Sequence, residues 1–141
     1  MTDIDGLDTE IHTNFSYDVM SREISRQQVE APGTVSEKAY TSTDVRYNAH
    51  GDIEAEGKNG QFQTQYFYDK LGRILKSNKD NGSWRVYAYD KSGNSTIEAL
   101  SLSIDLGYIT SAAQIATFNP QDVQLTYSVY DARNNLTDMV Q

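Results

Sequence analysis

A tyrosine followed by an acid or its amide recurs along this chain, at Tyr17-Asp18, Tyr47-Asn48, Tyr68-Asp69, Tyr89-Asp90 and Tyr130-Asp131. The separations are 30, 21, 21 and 41 residues, so two are equal and the last is close to double. A fixed period of this size marks a chain that reuses one small structural unit, and it limits the fold more than any other feature here. The match runs past the dipeptide. Four residues after each tyrosine stand Ser21, Gly51, Gly72, Gly93 and Asn134, and the next positions hold Arg22, Asp52, Arg73, Asn94 and Asn135. Two residues before it stand Phe15, Val45, Tyr66, Tyr87 and Ser128. Tyr108 falls between Tyr89 and Tyr130, where a degenerate copy is expected, but Ile109-Thr110-Ser111 follows it and both acid and glycine are missing.

Each element of the pattern has a physical cause. Asp or Asn at the head of a turn hydrogen-bonds its own backbone two residues on. Gly or Asn three residues later supplies a positive φ cheaply. Lys58-Asn59-Gly60 and Asp80-Asn81-Gly82 are a second kind of turn, 22 residues apart, each followed by an aromatic strand start at Phe62 or Trp84. Asn-Gly is the strongest short hairpin signal, because its turn type matches the twist of paired strands. Between the turns lie Tyr, Phe, Val, Trp and Thr, which suit a pleated, half-buried surface. One unit therefore holds two strands of about six or seven residues and two short turns.

Alternation separates Phe62, Thr64, Tyr66 and Tyr68 from Gln63, Gln65 and Phe67. It likewise separates Trp84, Val86 and Ala88 from Arg85, Tyr87 and Tyr89, and Val123, Leu125, Tyr127 and Val129 from Gln124, Thr126, Ser128 and Tyr130. Ala31-Pro32-Gly33 reads as a turn that lengthens the first unit. Ser111–Ala116 is the one stretch suited to a short helix, with strand or loop as the alternative.

Composition narrows the class. The hydrophobic fraction of 38% is low for a globular domain, yet aromatics at 11% set the chain apart from disordered sequences. No window approaches the apolar length of a membrane-spanning helix. The net charge of −8 argues against a general nucleic-acid binder. The charge is uneven, with 7 basic and 3 acidic residues over 58–91. That middle reads either as an anion-binding patch or as solvated, edge-protecting strand faces. The absence of Cys excludes disulfides, thiolate metal sites and cysteine nucleophiles.

The repeat resembles the YD-repeat, or RHS, family, whose signature is Tyr-Asp, a glycine three residues on, then Arg or Asn and an aliphatic residue. Tyr68-Asp69-Lys70-Leu71-Gly72-Arg73-Ile74 fits fully; Tyr47-Asn48-Ala49-His50-Gly51-Asp52-Ile53 fits with Asn for Asp; Tyr17 and Tyr130 fit with Ser21 and Asn134 for Gly. Tyr89-Asp90 with Gly93 is a further copy, and the resemblance covers about residues 15–137. It implies an all-β fold of antiparallel β-hairpin repeats forming a curved or spiralling sheet, with at most one short helix. In bacterial toxin complexes such a sheet forms a shell around a toxic C-terminal domain; in teneurin-like proteins it forms a barrel at the cell surface. The family's self-cleaving Asp-Pro pair is absent, since Pro32 follows Ala31 and Pro120 follows Asn119. The expected organisation is a flexible acidic N-terminus over 1–13 and a repeat region over 14–141, in about six units, degenerate near 97–120.

Chemistry-bearing residues are sparse. His12 and His50 are the only histidines, and no nucleophile motif accompanies them. Asp18, Asn48, Asp69, Asp90 and Asp131 read as turn formers. Asp3, Asp5, Gly6, Asp8 and Glu10 form a loose calcium-loop pattern without a closing bidentate Glu; a frayed acidic terminus is the other reading. Asn14, Asn81, Asn94 and Asn135 head glycosylation sequons. Trp84, Arg85 and Tyr87 are the candidate ligand-binding residues, as a stacking platform for a sugar, against the alternative of aromatic packing along the sheet.

The expectation is a non-enzymatic, cofactor-free structural segment of a larger secreted or cell-surface bacterial protein. Its partners would be further repeats, a cargo toxin domain or a surface glycan, and the alternative function is carbohydrate binding.

Overall fold

The computed structural model describes residues 10–141, apart from the side chain of Asp80. The chain is all-β: the described residues form eleven strands, each antiparallel to its partners, and one 3-10 helix. The chain divides into two compact units, Met1–Gln63 and Thr64–Gln141.

In the first unit, β1 (Ile11–Tyr17), β2 (Glu23–Glu30), β4 (Thr43–Tyr47) and β5 (Ile53–Lys58) pair in that order. The short β3 (Lys38–Ala39) also lies against β2. Ala31-Pro32-Gly33 is a turn, as expected, with Ala31 at φ 49 and Gly33 at φ 74. It opens the excursion that lengthens the first repeat from 21 to 30 residues. Among the described residues, Val29 and Ala55 are the buried apolar side chains of this unit. Its third buried residue is charged: Asp44 accepts from Ser25 Oγ at 2.6 Å, Ser42 Oγ at 2.8 Å and Gly60 N at 2.9 Å. Three donors around one carboxylate satisfy it without a counter-charge. Its ionisation is held below the ordinary value, first by the Gly60 N–H and then by Ser25, against the upward push of burial.

β6 (Gln61–Tyr68) runs across the division between the units. The second unit continues with β7 (Ile74–Asp80), β8 (Ser83–Tyr89), β9 (Ser95–Ser101), β10 (Val123–Tyr130) and β11 (Leu136–Val140), paired in sequence order. Its core contains Leu75, Val86, Ala99, Leu106, Ile109, Ile115 and Val123, with Trp84, Ile97, Phe118 and Leu125 packed against it. Register explains part of this set: Val86 faces Ala99, and Ala99 faces Leu125.

The other part comes from the stretch between β9 and β10. It carries no strand, and it places Leu106, Ile109 and Ile115 in the core. The region expected to hold a degenerate repeat is therefore β9 followed by a 3-10 helix-bearing excursion. β9 pairs directly with β10, from Ser101↔Val123 to Ile97↔Tyr127. Tyr108 lies in the excursion, exposed, in no strand. The near-doubled spacing of 41 thus reflects an insertion between two paired strands.

The helix expected over Ser111–Ala116 is a 3-10 helix, Ala112–Thr117, with Ser111 as N-cap and Gln114 reaching back to the cap in a capping box. Lys76, almost fully buried, donates from Nζ to the carbonyl of Gly107 and lies 4.4 Å from the Phe67 ring centroid and 5.3 Å from that of Trp84. Burial lowers its pKa, opposed by the Asp105 charge.

Candidate functional site

The repeated turn is the most developed local structure in the molecule. At Asp69, Oδ1 accepts from Leu71 N at 2.9 Å and Arg73 N at 3.0 Å, and Oδ2 accepts from Arg73 Nε at 2.8 Å. The Gly72 N–H closes the turn onto the Asp69 carbonyl at 3.0 Å, and Asp69 N donates to Arg73 O at 2.8 Å. The same side-chain pair of backbone donors reaches Asp18 from Met20 and Arg22, Asn48 from His50 and Asp52, Asp90 from Ser92 and Asn94, and Asp131 from Arg133 and Asn135. Positive φ falls at the fourth residue each time: Ser21, Gly51, Gly72, Gly93 and Asn134. The ladder register slips next to each motif tyrosine, at Ser16/Tyr17, Arg46/Tyr47, Phe67/Tyr68, Ala88/Tyr89 and Val129/Tyr130. One extra residue in one strand is what a bulge requires, and it falls three residues beyond the left-handed one each time, at Ile24, Glu54, Leu75, Thr96 and Thr137.

Position five is the partner that the sequence pattern left without a role. Arg22 and Arg73 pair with Asp18 and Asp69 at 2.7 Å. Asn94 and Asn135 donate Nδ2 to Asp90 and Asp131 at 3.1 and 3.0 Å. In the second copy the chemistry is exchanged: Asn48 Nδ2 donates to Asp52 Oδ2 at 3.3 Å. An acid and a donor thus face each other in every copy. The signal was present in the sequence, since no copy places acids at both positions.

These bonds hold four turn-head carboxyls below their ordinary value. For Asp18 and Asp131 the leading cause is the backbone N–H of Arg22 and of Asn135; for Asp90 it is the Asn94 side chain. At Asp69 burial pushes upward and is outweighed by the Arg73 side chain and backbone.

The arginines link one turn to the next motif tyrosine. The Arg22 guanidinium lies 4.5 Å from the Tyr47 ring centroid, and Arg73 lies 4.4 Å from that of Tyr89. Tyr47 OH donates to Glu23 O at 3.1 Å and Tyr89 OH to Ile74 O at 2.7 Å, each carbonyl being next in sequence to the stacked arginine. Arg73 is therefore held by Asp69 on one side and Tyr89 on the other. That arrangement leaves the motif acids and Arg73 engaged in structure.

The candidate ligand residues do not form one surface. Trp84 packs on the core side, beside Phe67 at a centroid distance of 5.9 Å and against Lys76. Arg85 and Tyr87 lie on the opposite face of β8, where alternation puts them. Arg85 pairs with Glu98 across the sheet. On that face a cleft of about 420 Å³ is bordered by Arg85, Glu98, Gln124, Thr126, Ser128 and Tyr130. A second cleft of about 620 Å³ lies beside the third turn, between Asp69, Arg73, Tyr87, Tyr89 and Ser111. In the first unit a cleft of about 380 Å³ is bordered by Arg22, Asp44, Arg46, Tyr47 and Phe62. Arg46 in turn pairs with Glu54 at 2.6 Å.

His50 sits exposed in the second turn, and His12 pairs with Glu10 at 3.0 Å, both exposed. Of the loose calcium pattern only Glu10 is described; Asp3, Asp5, Gly6 and Asp8 lie outside the described residues. Among the described residues no group of three or more His, Asp or Glu is placed to hold a metal ion. Among the described residues no helix is long and apolar enough to cross a membrane. The basic middle of the chain is partly spent internally, through Arg73–Asp69, Arg85–Glu98 and Lys76 on Gly107. Compared with protein-family models and with curated proteins, the chain matches none.

Proposed function

We propose that this chain is a structural segment of YD-repeat type, a non-enzymatic piece of wall or scaffold in a larger secreted or cell-surface bacterial protein, with further repeats as its natural neighbours. The observation that carries the reading is the fivefold recurrence of one hydrogen-bonded turn, in which the conspicuous polar residues bond one another. Groups so committed are poor acid–base catalysts, which need a proton-transfer partner in the substrate.

Terminal strands support the interaction part of the reading. Among the described residues β1 pairs only with β2, and β11 only with β10. Large apolar side chains lie exposed near both, including Phe15, Val19 and Met20 at one end and Val129, Leu136 and Val140 at the other. Unpaired edges of this kind invite strand addition. Light scattering over a wide concentration range should show reversible self-association, reduced by Val140→Lys. A strictly monomeric chain at every concentration overturns the open-edge reading.

Carbohydrate binding is the second reading, favoured by the cleft where Gln124, Thr126 and Ser128 line up beside Arg85 and Glu98. Glycan-array binding lost in Thr126→Val but retained in Trp84→Phe would support it; no glycan signal removes it.

A further inference from the structure

Asn59-Gly60 and Asn81-Gly82 are the same dipeptide in the same backbone conformation. Both asparagines sit at φ 52, and their glycines at φ 73 and 79. All four residues are exposed, and a Cβ built on either glycine would meet nothing within 4 Å. Asn-Gly is also the dipeptide most open to a self-inflicted reaction. The glycine N–H loses its proton to solvent, and its nitrogen attacks the asparagine Cγ. A C–N bond forms and ammonia leaves. Water then opens the resulting succinimide at either carbonyl, giving aspartate or isoaspartate. The step needs water alone, and glycine favours it because no side chain shields the nitrogen.

The two sites differ in what holds the reacting atoms. At the first, Gly60 N donates to the buried Asp44 carboxylate at 2.9 Å. The asparagine carbonyl accepts from Ser42 N at 3.0 Å, and Asn59 N donates to Ser42 Oγ at 3.1 Å. Attack there must break the Gly60 bond, build negative charge on nitrogen beside a carboxylate, and turn Cγ away from Ser42. At the second, no such tether holds Asn81 or Gly82 among the described residues. The ladder beneath is also interrupted, between Ser77 and Asp80.

We propose that Asn81 is a site of spontaneous deamidation and isomerisation in the folded protein, and that Asp44 and Ser42 protect Asn59 from the same reaction. The product adds a negative charge at the β7–β8 tip and, as isoaspartate, one backbone methylene in a turn whose geometry allows only two residues. Lys76↔Val86 and Ser77↔Arg85 pair further down, and β8 is held by β9, so the hairpin frays at its tip while the core stays closed.

The full chain is incubated folded in mildly alkaline buffer and, in parallel, in concentrated urea, then mapped by peptide mass spectrometry with isoaspartate-resolving fragmentation. Folded, Asn81 should convert about tenfold faster than Asn59, the factor expected from breaking one or two net hydrogen bonds before attack. In urea the two rates should converge. Asp44→Ala should speed Asn59 in the folded chain, and Asn81→Gln should abolish the major product. Equal rates in the folded chain, a faster Asn59, neither site reacting while the urea sample converts both, or a tenfold ratio that persists in urea each overturns the proposal.

Discussion

The fourth residue of each turn pays the conformational cost of the motif. Gly72 sits at φ 77 with open space around its missing Cβ, so an alanine there meets backbone strain and nothing else. Ser21 and Asn134 hold the same region at φ 61 and 62 with side chains present. The left-handed conformation costs a non-glycine residue about 1–2 kcal/mol. Gly72→Ala should lose about that much in urea unfolding. Ser21→Gly should gain somewhat less, because glycine's extra freedom in the unfolded chain offsets part of it. Opposite signs at equivalent positions would be the mark of one shared geometry; two changes of the same sign would deny it.

The turn-head acids add a pH dependence of known sign. Asp18, Asp69, Asp90 and Asp131, together with the buried Asp44 of β4, are all held below the ordinary 3.8 in the folded chain. The unfolded chain therefore takes up protons first on acidification. Their contribution is full above the ordinary carboxyl range and is lost as pH falls through 3.8 toward the folded values. Urea midpoints should be level between about pH 5 and 7 and drop steadily below that. A midpoint unchanged down to strongly acid pH would show that these carboxylates contribute nothing to the turns. At this scale the sequence was highly legible. Asp69, Gly72 and Arg73 act within a few residues of one another, and local chemistry needs no knowledge of the fold. The Arg73–Tyr89 stack was hidden because its partners belong to successive units.

Strands were readable for the same local reason, and the alternation around Val86 matches its burial. What covers that face was not readable. Leu106, Ile109 and Ile115 come from a segment with no strand period, and nothing in their spacing says which surface they meet. The setting of Trp84 was hidden for the same reason, because the Gly107 backbone that approaches its indole belongs to that segment. A Cβ at Gly107 would stand 3.2 Å from the indole nitrogen. Leu106 is fully buried, and truncating such a side chain costs about 2–5 kcal/mol through lost contacts and the cavity left behind. Leu106→Ala should lower the stability of the second unit by that amount and shift Trp84 emission to the red. Tyr108→Ala, in the same segment but exposed, should change neither. If both variants behave alike, the excursion does not close the core.

The molecule as a whole is unequally provided with apolar filling, which no average composition could reveal. The shortage visible in a 38% hydrophobic fraction falls mainly on the first unit. There the described buried side chains are Val29, Ala55 and the thrice-bonded Asp44, while the second unit closes seven buried apolar residues into one cluster. Apolar burial supplies most of the free energy that offsets chain entropy, and hydrogen-bonded turns add little net. Seven of the ten tyrosines lie at a motif or two residues before it, and those of the first unit, Tyr17 and Tyr47, remain partly or largely exposed. On the proposed scaffold role, the first unit would gain its missing burial from adjacent units, since stacked repeats depend on their neighbours for stability. Native-state amide exchange should therefore open β1, β2, β4 and β5 well before β8, β9 and β10. Adding a strand-forming neighbour at β1 should slow exchange in the first unit selectively. Uniform protection across both units would mean that the turns, and not the buried clusters, set the stability of the chain.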